Sequence, residues 1–221
     1  MPPADEIRAN VAAVNARIEA ACARAGRERG EVTLVAVSKT FPAEAVELAI
    51  AAGVTNVGEN RVQEARDKKP LVAGSVLWHL IGHLQSNKAK DAVRVFDVIE
   101  TVDSADLAGK IAKAAAAIGK RQEVLLQINV GGEEQKSGAD PRDAASIAKS
   151  IQSMDGLSLR GLMTIPPADG DSRRWFRELR MIRDDLGLKE LSMGMSEDYE
   201  AAVEEGATIV RVGRAIFGSR G

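Results

Sequence analysis

Val32-Thr33-Leu34-Val35-Ala36-Val37-Ser38-Lys39-Thr40-Phe41-Pro42 is a short β-branched apolar run that closes on two polar residues and a Phe-Pro step. A helical stretch to Ala52 follows, with Gly53 as its stop signal, so the segment reads as a strand, a turn and a helix. The turn holds no G-x-G-x-x-G, which removes the main support for an open dinucleotide-binding sheet.

The same unit recurs along the chain. Strand-like runs are read at Thr55–Val57, Val76–Ile81, Val98–Val102, Val124–Asn129, Leu159–Ile165, Leu191–Met193 and Ile209–Phe217. Helical stretches lie between them, at about Val62–Leu71, Asn87–Val93, Ser104–Ile118, Arg142–Met154, Arg173–Leu186 and Glu197–Glu205. An amphipathic helix, Asp5–Arg27, precedes the first unit, with Ile7, Val11, Val14 and Ile18 at helical spacing. Strict alternation means parallel strands joined by crossover helices, and parallel strands covered on both faces read as apolar runs. With no linker-like tract dividing residues 1–221, the expectation is a single α/β domain: a (β/α)8 TIM barrel with an extra N-terminal helix.

Composition narrows the function classes. The 221 residues are 45% hydrophobic and 28% charged, with a net charge of −2, so no basic footprint argues for nucleic acid. No apolar run reaches the roughly 18 residues of a membrane span. Asp5 and Glu6 stand where a secretory signal would be basic. Cys22 is the one cysteine and His79 and His83 are the two histidines, which disfavours disulfides and metal sites. The chain is expected to be cytoplasmic and metal-free.

In such barrels the active site forms at the carboxyl ends of the strands. Lys39 ends the first strand and shares a face with Thr33, Val35 and Val37. Two readings stand: a partly desolvated amine able to attack a carbonyl, or a lysine that snorkels to water. Gly194-Met195-Ser196 is followed one unit later by Val212-Gly213-Arg214, where these barrels place phosphate. Ser196 is read as a helix N-cap that could present free N–H groups to an anion, or as a plain cap. Glu197 and Asp198 would oppose a phosphate unless they turn away. Arg211, inside a strand pattern, needs either a structural carboxylate or a ligand. Trp78, His79 and His83 could wall a pocket, although a lone histidine is more often structural.

Read together, Val35–Thr40, Gly58–Glu64, Trp78–Lys88, Gly161–Pro166, Leu191–Ser196 and Val210–Gly218 resemble the pyridoxal phosphate homeostasis protein family, in order and over nearly the whole chain. The resemblance implies the alanine racemase N-terminal barrel, a fold type III pyridoxal phosphate fold, without the racemase's second β-domain. It implies a Schiff base between pyridoxal 5′-phosphate and Lys39. Ser196 and backbone groups around Gly213 and Arg214 would hold the phosphate, Arg211 would face the pyridine nitrogen, and Asn60 and Met163 would line the ring pocket. The implied role is carrying and buffering the cofactor, with pyridoxal-phosphate-dependent apo-enzymes as recipients, a monomeric state and no established catalytic residue.

The alternatives are a weak amino-acid racemase or lyase, and a binding module for another phosphorylated metabolite. Two positions depart from the family pattern: Arg61 stands where tyrosine is usual, and Arg214 where serine or threonine is usual. Lys136, after the fifth strand, is read as a solvated loop lysine, with a contact to cofactor or to a second copy as the other possibility.

Overall fold

Each of the eight apolar runs forms a strand, and a helix follows each one. The computed structural model describes residues 2–133, 135–167 and 171–218. Its strands are β1 (Thr33–Val37), β2 (Asn56–Glu59), β3 (Leu77–Leu80), β4 (Val98–Val102), β5 (Gln122–Gln127), β6 (Leu157–Met163), β7 (Glu190–Ser192) and β8 (Ile209–Val212). The helices are α1 (Ala4–Arg24), α2 (Ala43–Ala51), α3 (Val62–Lys68), α4 (Ala89–Val95), α5 (Ala105–Ala116), α6 (Ala144–Gln152), α7 (Ser172–Asp185), α8 (Tyr199–Glu204) and α9 (Arg214–Phe217). The strands close in sequence order, and β8 returns to β1 in parallel with Thr33 opposite Ile209 and Ala36 opposite Val212. A closed barrel replaces the open-sheet rival.

Two layers bury the chain. Between strands and helices lies an apolar shell that includes Trp78, Phe96, Phe176 and Phe217. Inside the barrel a smaller cluster, Val35, Leu125, Met163 and Ile209, fills the space beneath the site. α1 buries Ile7, Val11, Val14 and Ile18, as its spacing predicts, and packs on α8, α9 and α2. Among the described residues no helix is long and apolar enough to cross a membrane, and no group of three metal-ligating side chains is positioned to hold an ion.

The eighth strand is shorter than read. It ends at Val212, and Arg214–Phe217 turns into α9, so that Phe217 packs on Phe41 with ring centroids 5.3 Å apart. A short apolar run has no periodicity that separates strand from buried helix. α8 also starts late, at Tyr199 rather than Glu197.

The carboxylates of α8 and the residue after it join α1 and α7 across the surface. Glu204 accepts from Arg173 and Arg24, and Glu205 accepts from Arg177 at 2.8 Å. Hydrogen bonds from Arg173 and then Arg24 hold the Glu204 carboxyl below its ordinary range, and Arg177 does the same for Glu205. A carboxyl depressed in the folded state contributes stability that is complete above its unfolded pKa of about 4.3 and is lost as pH falls toward the folded value. The melting temperature is therefore expected to drop as pH is lowered through about 4.3, and to drop less in Glu205→Gln. Thermal scans at stepped pH check this; parallel curves for the two proteins would refute it.

Candidate functional site

A cavity of about 620 Å³ opens at the carboxyl ends of the strands. Lys39, Asn60, Ser196, Arg211, Gly213 and Arg214 all line it, together with Val37, Ile81 and Pro166. Six residues singled out in sequence thus meet on one wall system. Met163 does not: it is fully buried in the inner apolar cluster and is not part of the cavity wall. Strand alternation explains Lys39. Val35 points into the barrel interior, and Val37 and then Lys39 continue the same face up to the mouth.

The turn that carries Lys39 is held from behind. Lys68 of α3 is buried, and its Nζ donates to Glu59 Oε1 at 2.5 Å, to the Ser38 carbonyl at 2.9 Å and to Glu64 Oε1 at 3.1 Å. Ser38 Oγ donates to the same Glu59 oxygen at 2.7 Å, and Thr40 N–H donates to Glu64. Thr40 has φ +69°, a left-handed conformation uncommon for a residue with a Cβ. The residues on both sides of Lys39 are therefore pinned through one buried ammonium. Burial pushes the Glu59 carboxyl above its ordinary value, against the opposing pull of Lys68 and Ser38.

Arg211 answers the question raised by its sequence position in both ways. It lines the cavity and it has a carboxylate, Glu100 of β4, with Nη1 at 4.0 Å from Oε2. Nη1 also donates to Ser192 Oγ at 2.6 Å, and Nη2 donates to the Thr164 carbonyl at 2.8 Å. Ser192 Oγ donates to Glu100 at 2.5 Å, and His79 Nδ1 lies 2.7 Å from the other Glu100 oxygen. His79 Nε2 reaches Asn56 Oδ1 at 3.0 Å. A continuous polar chain thus descends from the cavity floor through the barrel. Burial raises the Glu100 carboxyl, but His79, Arg211 and Ser192 outweigh it and leave it below its usual value. Burial pulls the Arg211 guanidinium down and Glu100 opposes this, yet a guanidinium remains charged at neutral pH.

The anion end differs from its sequence reading. Ser196 caps no helix; its Oγ accepts the Gly213 N–H at 3.3 Å, tying the loop after β7 to the end of β8. The helix N-cap is Asp198, whose carboxylate accepts the Met195 N–H at 2.7 Å. Glu197 pairs with Arg214 at 2.6 Å, so the Arg214 charge is partly answered at the exposed rim. Gly194, at φ +90°, makes the turn into this loop, and a Cβ there would lie 2.5 Å from that of Ala202. At Gly213 a Cβ would meet Val37 at 3.3 Å, so the missing side chain keeps this part of the cradle open.

Trp78 is buried in the outer shell and His79 in the polar chain, so neither walls the cavity. His83 is exposed and lines a second, smaller cavity. Lys136 is not a solvated loop lysine: it lines the first cavity, donates to the Pro166 carbonyl at 3.0 Å and pairs with Glu133. Glu134, in the same loop, lies outside the described residues. Glu100, Ser192 and Lys68 were missed in the sequence. Glu100 carried a usable signal, a charge inside the apolar run Val98–Val102, the same anomaly that drew attention to Arg211.

Comparison with known proteins adds the family. Residues 7–221 match the family model of the alanine racemase N-terminal domain. A Pseudomonas aeruginosa relative named pyridoxal phosphate homeostasis protein is 43% identical over 220 residues, covering 97% of this chain and 96% of that protein. One of the same name from Aquifex aeolicus is 42% identical over 214 residues, covering 92% and 94%. Among solved structures, PipY of Synechococcus elongatus with pyridoxal phosphate bound superposes with a TM-score of 0.85 at 36% identity, covering 96% of this chain and 100% of that one. The chain belongs to the alanine racemase N-terminal domain family and, within it, to the pyridoxal phosphate homeostasis proteins.

Proposed function

We propose that the chain binds pyridoxal 5′-phosphate in the large cavity, linked to Lys39 as a Schiff base, and holds it for delivery to apo-enzymes rather than for turnover. The observation that carries this is the convergence of Lys39, Arg211, Ser196 and Gly213 on one cavity, in a chain whose relative PipY is solved with that cofactor. The residues suit the group: an amine for its aldehyde, an open cradle at Gly213, polar groups at Ser196 and Arg214, and a buried guanidinium for a ring nitrogen. When bound, pyridoxal phosphate supplies a carbonyl for reversible linkage to amines and a ring that draws off electrons.

The surroundings support holding over turnover. Arg211 is a permanent donor, so it favours an unprotonated partner nitrogen and weakens the ring's pull on electrons. Tyr199, the single tyrosine, is buried beneath the Arg17 guanidinium, 5.4 Å from its ring centroid, and does not line the cavity. No phenol therefore faces Lys39 as a second acid or base, which a two-base racemisation would require. A cytoplasmic location and a monomeric state belong to the same reading, motivated by the lone buried Cys22 and the family resemblance.

The test is a visible spectrum of protein mixed with pyridoxal phosphate and desalted, then borohydride reduction and peptide mass spectrometry. A retained visible band with the adduct on Lys39 is expected; a desalted protein without band or adduct would refute the reading. Incubation with L-amino acids and chiral chromatography tests the alternative. Turnover that disappears in Lys39→Ala would replace the carrier by an enzyme.

A further inference from the structure

Beside the large cavity, at the exits of β2 and β3, lies a second cavity of about 340 Å³. Its wall carries three cations, Arg61, Arg66 and Lys88, against one carboxylate, Asp91. Among the described residues neither Arg61 nor Lys88 has a carboxylate within ion-pair distance, and Arg66 reaches only Asp67, at 3.4 Å. The formal charge of the whole chain is −2, so this excess of cations over carboxylates is local to the cavity. Two guanidinium forks and an ammonium suit phosphate oxygens, which accept paired N–H donors. The volume is near the lower end of small-molecule sites, which favours a compact ligand over a protein surface.

We infer that this second cavity is a binding site for a compact phosphate-class anion, distinct from the one that Lys39 lines. The two cavities share one wall residue, Asn60. Gly82 packs directly behind it, where a Cβ would lie 2.2 Å from the Asn60 carbonyl oxygen. Asn60 thus borders both cavities, with its backbone held against Gly82.

The experiment is calorimetric titration with inorganic pyrophosphate and, separately, adenosine diphosphate, on protein pre-incubated with pyridoxal phosphate and then desalted, so that the first cavity is filled and no free phosphate ester competes at the second. One saturable site is expected, weakened at least about tenfold in Arg61→Ala/Lys88→Ala, since each lost charged donor removes a hydrogen bond of the stronger class. Both side chains are exposed, so the fold is expected to persist, with circular dichroism as the check. Tighter binding of pyrophosphate indicates a free inorganic anion, and tighter binding of the nucleotide indicates a phosphoryl group on a larger metabolite; either supports the site. Absence of saturable binding overturns it, as does binding that survives the double substitution, or binding of an acidic peptide with neither phosphate probe. Because wild type and variant are compared under one condition, the result reads the second cavity whether or not Lys39 carries the cofactor.

Discussion

Glu100→Leu is expected to destabilise the protein by about 3–5 kcal/mol, the range found when one partner of a buried ion pair is removed. Leucine fits the volume but leaves the Arg211 guanidinium buried without its carboxylate, and deprives Ser192 Oγ and His79 Nδ1 of their acceptors. For a chain of this size the melting temperature should fall by roughly 10 °C. Arg211 also lines the large cavity, so the same substitution is expected to weaken retention of pyridoxal phosphate on desalting. Removing both charges in Glu100→Leu/Arg211→Met should recover much of the stability, though not cofactor retention, because a paired apolar replacement leaves no stranded charge. A single variant that melts with wild type would show that the polar chain contributes nothing to holding Arg211.

Lys68→Met acts on the other side of the site and is expected to cost a similar amount, about 3–5 kcal/mol. Glu59 then remains buried with no cation, and the Ser38 carbonyl and Glu64 lose the donor that pins the turn around Lys39. Without that ammonium the Glu59 carboxyl, already pushed up by burial, rises further. A carboxyl whose folded pKa is raised is tolerated while protonated. The penalty is thus small at low pH and grows as pH climbs from the unfolded value of about 4.3 through the folded one. The variant's deficit in denaturant midpoint should accordingly be larger at pH 7 than at pH 5, and the Lys39 adduct should form more slowly than in wild type. Equal deficits at both pH values would mean that the loss is one of packing alone.

Periodicity and residue class make the barrel legible in the sequence. Alternating apolar runs and helices specify crossovers, and the shared face of Val35, Val37 and Lys39 aims the lysine at the mouth. Reading failed where a local pattern has two solutions. Ala215-Ile216-Phe217 is apolar enough for a strand, yet it folds into α9 because Phe217 finds Phe41 and the packed face of α1. Ser196 looked like a cap because serine often is one; the competing partner, the Gly213 N–H, lies 17 residues away in the chain. Buried partners are the least visible of all. Glu100 meets Ser192 across 92 residues, a closeness that only the closed barrel creates.

The way the ring closes has a consequence for how the chain comes off the ribosome. The helix after β8 is only the four-residue α9, and α1 lies over it and α8, with Asn10 Nδ2 donating to the Ile216 carbonyl at 3.0 Å. α1 is therefore matched to segments made well after it. Until β8 emerges, β1 and β7 are open strand edges, and the apolar stripe Ile7–Ile18 has no α8 or α9 to cover it. Closure joins β1 to β8, which lie far apart in sequence, so it is slow relative to local helix formation. The nascent protein thus passes through a long interval as a sticky, unsealed sheet, in which holding chaperones have two defined edges and one amphipathic helix to guard.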